Sequence, residues 1–197
     1  MKKNNPWISI SDLLSSVVLI LLLMFVLAAI LPQYTQEAQR REMMNSFEDA
    51  LREYAEKGQV QIHVETGMLE FTSVTFPSAS AEVTPAALAA INDFSSHLKV
   101  YMEENPKMEV LVEGHTDPSP VSQVRNQGGY FANNIQLSTL RAANVREALL
   151  KNIGKEYANR IGAAGYGETR LKNTENPLSE ENRRIEIRIL WNGQDND

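Results

Sequence analysis

An aspartate stands at the edge of the longest apolar run in this sequence. The run extends from Leu13 to Leu31 without a charged residue, and Ser15 and Ser16 are its polar members. At about 1.5 Å of rise per residue, a helix of this length spans most of a hydrocarbon core of about 30 Å. The sequence therefore predicts a membrane-spanning helix over residues 12–31, with the carboxylate of Asp12 at one end.

The position of Asp12 limits the chemistry open to it. A carboxylate at the centre of a membrane helix costs about 2.5 to 3.5 kcal/mol, so we expect it to become protonated or to face a partner. The alternative is a helix N-cap at the membrane surface, where the carboxylate accepts hydrogen bonds from the first free backbone N–H groups. Position alone does not decide between these two roles.

Covalent catalysis and metal binding have no supporting pattern. The chain has no cysteine and no nucleophile elbow, and its three histidines, His63, His97 and His115, lack metal-ligand spacing. His115 lies close to Asp117 in the sequence, and a structural role is the favoured interpretation for it. We expect a protein that is not an enzyme and that has neither a metal nor a cofactor.

Length and charge restrict the organisation. The 197 residues have room for one membrane segment and one domain of about 100 to 150 residues. The formal net charge of −6 argues against a nucleic-acid partner, which requires a basic surface. The absence of cysteine excludes disulfides and a lipoprotein anchor.

Flanking charges predict the orientation of the membrane helix. Lys2 and Lys3 precede the apolar run, whereas mixed charge follows it from Glu37 onward. The positive-inside rule places residues 1–11 in the cytoplasm and everything from Pro32 onward on the other side. A cleaved signal peptide is the alternative, but the run exceeds the usual 7 to 15 or so apolar residues, and Asp12 is foreign to a basic leader.

The pattern of residues 32–58 predicts a helical linker with one apolar face. Met44, Phe47, Leu51 and Tyr54 recur at spacings of three and four residues, and Gly58 ends the pattern. Two heptads are too few to identify a coiled coil, so packing on the chain's own domain and pairing with a second copy both remain open.

Strand and helix patterns alternate after Gly58. Apolar residues predict strands near residues 60–64, 69–76, 108–113, 161–166 and 185–191. Thr84-Pro85 predicts the start of a helix that ends at Asn105-Pro106, and a second helix is predicted from Ser138 to near Gly154. This interleaving predicts an α+β or α/β layer in which helices cover a sheet.

The residues around Asp12 resemble a known family. The segment Trp7-Ile8-Ser9-Ile10-Ser11-Asp12-Leu13 is similar to the opening of the transmembrane helix in MotB-type ion-driven stator proteins, most closely those of the ZorB branch of Zorya anti-phage systems. The resemblance implies that Asp12 carries a translocated H⁺ or Na⁺, with Ser15 one turn further on. It also adds a plug that closes the ion path as a third role for residues 32–58.

Five later segments resemble, in order, the signature of the OmpA-like peptidoglycan-binding domain. They are FPSASAEVTP (76–85), EGHTD (113–117), NIQLSTLRA (134–142), GYGE (165–168) and NRRIEI (182–187). The resemblance implies an α+β domain over residues 59–197, in which helices cover a mixed β-sheet. It also implies that this domain binds the diaminopimelate of a peptidoglycan stem peptide.

The OmpA-like resemblance assigns the candidate binding residues. Asp117 is expected to hold the ammonium group of diaminopimelate and Arg141 its carboxylate, while Thr116, Asn134 and Leu137 shape the pocket. A fixed carboxylate and a planar guanidinium are complementary to such a zwitterion. Arg183 and Arg184 are expected to brace the site, and no residue of it is expected to be catalytic.

Two departures from the family pattern stand close to this site. A polar, glycine-rich insert occupies residues 118–133 and is expected either to cover the pocket or to obstruct it. Ser179 stands where the family often has an arginine.

Together the resemblances imply a single-pass protein of the bacterial inner membrane with a periplasmic domain. A dimer of this chain would work with a polytopic MotA/ZorA-like subunit, expected to be a pentamer, and would be anchored to peptidoglycan. The opening Pro-Trp-Ile-Ser and the short tail favour the Zorya branch over a flagellar stator. From a different class, a passive envelope tether, in which Asp12 is only a cap, remains as an alternative.

Overall fold

The computed structural model describes residues 6–72, 76, 80–121, 125–126, 129–130 and 132–191. Lys2 and Lys3, residues 73–75 of the second predicted strand and several residues of the insert lie outside this part of the chain. The protein forms two compact units, Met1–Arg40 and Arg41–Asp197.

The first unit contains most of a long helix, α1, which runs from Pro6 to Glu56. Its segment Ile10–Leu31 has 22 residues and a mean hydropathy of 3.0, and is therefore long and apolar enough to cross a membrane. Because α1 begins at Pro6, Asp12 lies in the second turn, and the N-cap alternative is wrong for this residue. Its backbone oxygen accepts a hydrogen bond of 2.8 Å from the Ser16 hydroxyl, one turn further along the helix.

The end of α1 is part of the second unit. Met43, Met44, Phe47 and Leu51 are fully buried in the core of that unit. The Phe47 ring makes an edge-on contact with the ring of Phe94, with the ring centroids 5.0 Å apart. The apolar face of the predicted linker therefore packs on the chain's own folded part, and the compact unit that includes it starts at Arg41.

A five-stranded mixed sheet forms the centre of this unit. Its strands are β1 (Val60–His63), β2 (Met68–Phe71), β3 (Met108–His115), β6 (Ile161–Gly167) and β7 (Ile185–Trp191), in the order β1-β2-β7-β3-β6. All neighbours are antiparallel except β3 and β6, which are parallel. A short separate hairpin, β4 (Arg125–Asn126) with β5 (Gly129–Tyr130), lies within the insert.

Two helices follow the predicted pattern, with one difference. Helix α2 (Pro85–Glu104) starts as predicted, with the Thr84 side chain accepting a hydrogen bond from the Ala87 N–H. Helix α3 (Asn134–Ile153) starts one turn before the predicted Ser138, because the side chain of Asn133 accepts from the Gln136 N–H and caps it. The predicted α+β fold, with helices on a mixed sheet, is confirmed.

A close contact places α3 against the strand that leads to Asp117. A Cβ atom on Gly114 of β3 would overlap with the backbone oxygen of Ser138. Because only glycine allows this approach, the helix that carries Arg141 lies directly on the end of β3.

The burial of Phe47 gives the first testable prediction. Phe47→Ala should lower the free energy of unfolding of the second unit by about 3 to 5 kcal/mol, since it opens a cavity between α1 and α2. Val100→Ala, which changes a half-exposed residue of α2, should change it by less than about 1 kcal/mol. Urea unfolding of the full chain in detergent micelles measures both, and equal effects would contradict this packing.

Candidate functional site

Asp117 and Arg141 both lie near the end of β3, where the charge of Asp117 acts on Arg141. Asp117 lies two residues after the end of this strand at His115, while Arg141 lies about two turns into α3. Both residues are buried, each with 5% of its surface exposed. The fold thus places a carboxylate and a guanidinium in one buried site.

Asp117 is held by two donors. Its Oδ2 accepts a hydrogen bond of 2.7 Å from Nη1 of Arg183, and its Oδ1 accepts one of 2.9 Å from the backbone N–H of Ser119. Burial alone would raise the pKa of this carboxyl, but the hydrogen bonds from Arg183 and Ser119 outweigh burial and lower the pKa below its ordinary value. Asp117 is therefore an anion at neutral pH, with a fixed orientation.

Arg141 contacts two residues that precede α2 in the chain. Its Nε donates to the backbone oxygen of Ser80 at 2.9 Å, and its guanidinium lies 5.0 Å from the centre of the Phe76 ring. Burial, together with the charge of Arg183, lowers the pKa of Arg141 to about 10, so it remains a cation at neutral pH. Among the residues that the structure describes, none accepts a hydrogen bond from its two terminal Nη groups.

The three residues expected to shape the pocket line the same region. The Asn134 amide donates to the backbone oxygens of Asp117 and Ser119 and so fixes the turn after β3. Leu137 is buried in a small apolar cluster with Ala81 and Val121. The buried hydroxyl of Thr116 has no hydrogen-bond partner in the described part of the chain.

The two arginines expected to brace the site have different roles. Arg183 touches Asp117 directly, and its Nη2 donates to Glu180 at 3.0 Å. Arg184 instead donates to Glu186 at 2.8 Å and to the backbone oxygen of Arg170. Since neighbouring residues of an extended chain point to opposite sides, only Arg183 acts on Asp117 itself.

A second charged cluster was not visible in the sequence. Glu113, His115 and Glu186 place possible metal-ligand atoms within 4.8 Å of one another. Both carboxylates already accept hydrogen bonds from Arg188, and Glu186 also accepts from Arg184. These guanidinium groups bond to three of the four carboxylate oxygens and add positive charge beside a possible metal position.

His115 belongs to this cluster. Its ring is buried and stacks on the ring of Tyr166, with 5.5 Å between the centroids. Burial and the charge of Arg184 lower the pKa of His115 well below its ordinary value, against the opposite effect of Glu186. The imidazole is therefore neutral at pH 7, and its closest carboxylate oxygen, on Glu186, lies 3.8 Å from Nε2.

The two departures from the family pattern have visible local roles. Ser179 caps the short 3₁₀ turn Glu180–Asn182 by accepting from the Glu181 N–H. In the insert, Ser119 donates to Asp117, and Val121 is buried beside Leu137. The first residues of the insert thus form one wall of the site, while residues 122–124, 127–128 and 131 lie outside the described part of the chain.

The residues expected to carry an ion lie in the first unit. Asp12 and Ser15 are exposed on α1. The hydroxyl that bonds to Asp12 belongs to Ser16 and reaches the backbone oxygen, not the carboxylate. The Asp12 carboxylate is thus available to a proton, a cation or a partner.

The site combines a fixed anion with a cation whose terminal donors have no acceptor within the described ranges of the chain. An arginine with free Nη groups can bind a carboxylate through two parallel hydrogen bonds. The arrangement suits a ligand group that carries both an ammonium and a carboxylate. Asp117 and Arg141 stay predictions as ligand-binding residues, and the sequence did not indicate that Ser80 and Phe76, from a distant part of the chain, contact Arg141.

Comparisons with known proteins agree on the fold. The model of the OmpA family matches residues 75–184, more than half of the chain. A comparison with curated proteins finds no match.

Solved structures resemble the protein at low sequence identity. A MotB-like protein from Desulfovibrio vulgaris is 23% identical, with a TM-score of 0.60, over 80% of this chain and 97% of its own. The cell wall anchor of the T6SS from Pseudomonas aeruginosa is 23% identical, with a TM-score of 0.59, over 74% and 96%. The periplasmic domain of Helicobacter pylori MotB is 20% identical, with a TM-score of 0.54, over 68% and 82%. At these identities the similarity establishes a shared fold.

The ion pair between Arg183 and Asp117 gives a pH-dependent prediction. Arg183→Gln should lower the free energy of unfolding at pH 7 by about 1 to 2 kcal/mol, because a charged hydrogen bond to a buried carboxylate is lost and Arg183 is partly exposed. The ion pair lowers the pKa of Asp117 in the folded state. Its contribution to the free energy of unfolding is therefore fully present above the unfolded-state pKa of about 3.9. This contribution is lost as the pH falls through the lower folded-state pKa.

Urea unfolding of the full chain in detergent micelles at several pH values measures this difference. The wild type and Arg183→Gln should differ by a constant amount between about pH 5 and pH 7 and converge only below about pH 3.9. Arg52→Gln, which breaks an exposed pair with Asp49, should have an effect within about 0.5 kcal/mol. A difference that persists unchanged at the lowest pH would rule out Asp117 as its source.

Proposed function

The chain belongs to the OmpA family, and we propose that it is the peptidoglycan-anchored B subunit of an ion-driven stator in the bacterial inner membrane. The observation that carries the anchoring role is the presence of two buried charges in one site, Asp117 and Arg141, with no acceptor for the terminal donors of Arg141 among the described residues. The observation behind the motor role is a carboxylate, Asp12, within an exposed apolar helix.

The proposed ligand is the diaminopimelate side chain of the peptidoglycan stem. This side chain ends in a zwitterion, whose ammonium group would bind Asp117 and whose carboxylate would bind Arg141. Each charge-assisted hydrogen bond contributes about 1.5 to 3 kcal/mol, which is enough for anchoring when two domains bind one wall. Arg183 would remain on Asp117 Oδ2, because a carboxylate oxygen accepts more than one hydrogen bond.

The membrane unit supplies one helix, which by itself cannot enclose an ion path. We therefore include a polytopic MotA-like partner, as a pentamer around a dimer of this chain. Asp12 would take up H⁺ or Na⁺ from the periplasmic side and release it toward the cytoplasm. A unit charge that crosses the membrane gains about 2.3 kcal/mol per 100 mV, which is the driving energy.

Within this class, we assign the chain to the Zorya anti-phage branch because of its opening residues, Pro6-Trp7-Ile8-Ser9. The support for the wider class includes the fold shared with MotB-like proteins and with a cell wall anchor. A flagellar stator and a passive tether are the outcomes that the experiments below distinguish.

Binding to purified sacculi tests the anchoring role. Full-length protein in detergent should sediment with sacculi that contain diaminopimelate, and Asp117→Asn or Arg141→Ala should weaken the binding by about tenfold to a hundredfold. Lys151→Ala, on the exposed end of α3, should bind like the wild type.

A second wall type makes this test specific. In sacculi with lysine in place of diaminopimelate, the ammonium group is present but the carboxylate is missing. Wild-type binding should be weaker there, and Arg141→Ala should cause no further loss. Binding of the wild type that is equal on both walls would contradict recognition of the carboxylate by Arg141.

Replacement of Asp12 tests the motor role. Asp12→Asn in the native operon should abolish protection from phage, because the amide cannot take up and release a proton or exchange a cation, while membrane insertion and sacculus binding stay unchanged. Asp49→Asn, an acid on the same helix beyond the apolar segment, should protect like the wild type.

Two outcomes would replace the proposal. Full protection by Asp12→Asn would identify a passive tether. A wild type that gives no protection but restores swimming to a strain without its stator would identify a flagellar role.

A further inference from the structure

The residue that holds Asp117 comes from an irregular segment. Arg183 lies between β6 and β7, at the end of a loop whose described regular element is the 3₁₀ turn Glu180–Asn182. No strand or helix fixes its position. Other contacts must therefore bring Arg183 to Asp117 at 2.7 Å.

Asn182, the residue before Arg183, organises this loop. Its side chain is fully buried. The Asn182 Oδ1 accepts from the backbone N–H groups of Lys172 and Asn173, at 2.8 and 2.9 Å. Its Nδ2 donates to the backbone oxygens of Asn173, Asn176 and Pro177. One amide thus ties the two ends of the loop together next to Arg183.

Lys172 connects the loop that Asn182 organises to the sheet. Its Nζ lies 2.7 and 2.9 Å from the two carboxylate oxygens of Glu70 on β2. The neighbours of Glu70, Leu69 and Phe71, point into the core, so Glu70 lies on the sheet face away from the helices. The loop is therefore clamped to a strand that contributes nothing to the site itself.

The sheet register explains why Glu70 requires a cation. Glu70 stands directly opposite Glu186, and Glu186 stands directly opposite Glu113, so three buried carboxylates form a row across β2, β7 and β3. Like charges in such positions destabilise a sheet unless each carboxylate forms an ion pair with a cation. Arg184 forms an ion pair with Glu186, and Arg188 forms one with Glu113. Lys172 forms the ion pair with Glu70. The His63 ring also lies near this carboxylate, with Nε2 4.0 Å from Oε2, but release of Lys172 would deprive the buried Glu70 of its closest cation.

We propose that Glu70, Lys172 and Asn182 are positioning residues of the ligand site, which hold the loop so that Arg183 stays on Asp117. They act through Arg183 and touch no ligand. The effect on ligand binding rests on the proposed anchoring function, whereas the effect on Asp117 itself does not.

The titration of Asp117 tests this proposal without a ligand. Carboxyl ¹³C signals are recorded against pH for the full chain in micelles, and Asp117→Asn identifies the signal. Arg183→Gln should raise the pKa of Asp117, and Lys172→Met should raise it in the same direction. Lys57→Met, which removes an exposed lysine paired with Glu53, should leave the pKa unchanged.

The double variant separates positioning from direct electrostatics. If Lys172 acts through Arg183, then Lys172→Met should add no shift once Arg183→Gln is present. The proposal would be overturned if Lys172→Met shifted the pKa of Asp117 equally in the wild type and in Arg183→Gln. It would also be overturned if Lys172→Met alone left this pKa unchanged. Glu70→Gln, which removes the charge that holds Lys172, is the second variant if Lys172→Met does not fold, and its predictions are the same.

Sacculus binding adds a separate readout. Lys172→Met should weaken binding to diaminopimelate-containing sacculi by about threefold or more, and Arg183→Gln should make this effect disappear. If the wild type does not bind sacculi, the anchoring function fails, and the titration still decides the positioning role.

Discussion

Buried charge is the constraint on which the second unit depends. A carboxylate that loses its water must be bonded by donors, or it becomes protonated and loses its use. Asp117 meets this condition through Arg183 and the Ser119 N–H. As far as the described residues show, Arg141 meets it only in part, through Ser80 and the ring of Phe76. The terminal N–H groups of Arg141 can therefore donate hydrogen bonds to a ligand.

The same constraint shapes the other face of the sheet. Glu70, Glu186 and Glu113 stand side by side, and each requires a cation from outside its own strand or from a neighbouring position. Two of these cations, Lys172 and Arg170, come from the loop between β6 and β7. The stability of the sheet and the position of that loop are thus linked, which is why residues distant from Asp117 can affect it.

The elements whose burial follows a simple period could be predicted from the sequence. Alternation at Val60 and Ile62, and the Thr84-Pro85 start of α2, led to the observed strand and helix. The start of α3 differs from the predicted Ser138 because Asn133 caps the helix one turn earlier. Ser138 is a buried residue within the helix, and its hydroxyl accepts a hydrogen bond from the Gly167 N–H. The pairing of Glu113 with Glu186 was missed because it depends on strand order and register, which no local pattern encodes. Asn182 was placed in a motif, but its role depends on a loop closure that spacing does not reveal.

The most direct test of the anchoring account is a structure of the full-length protein with meso-diaminopimelate bound. The account predicts the ligand ammonium about 3 Å from a carboxylate oxygen of Asp117 and the adjacent carboxylate on the two Nη groups of Arg141, with Arg183 still on Asp117. A ligand bound in the reverse orientation, or at a place that involves neither residue, would contradict it.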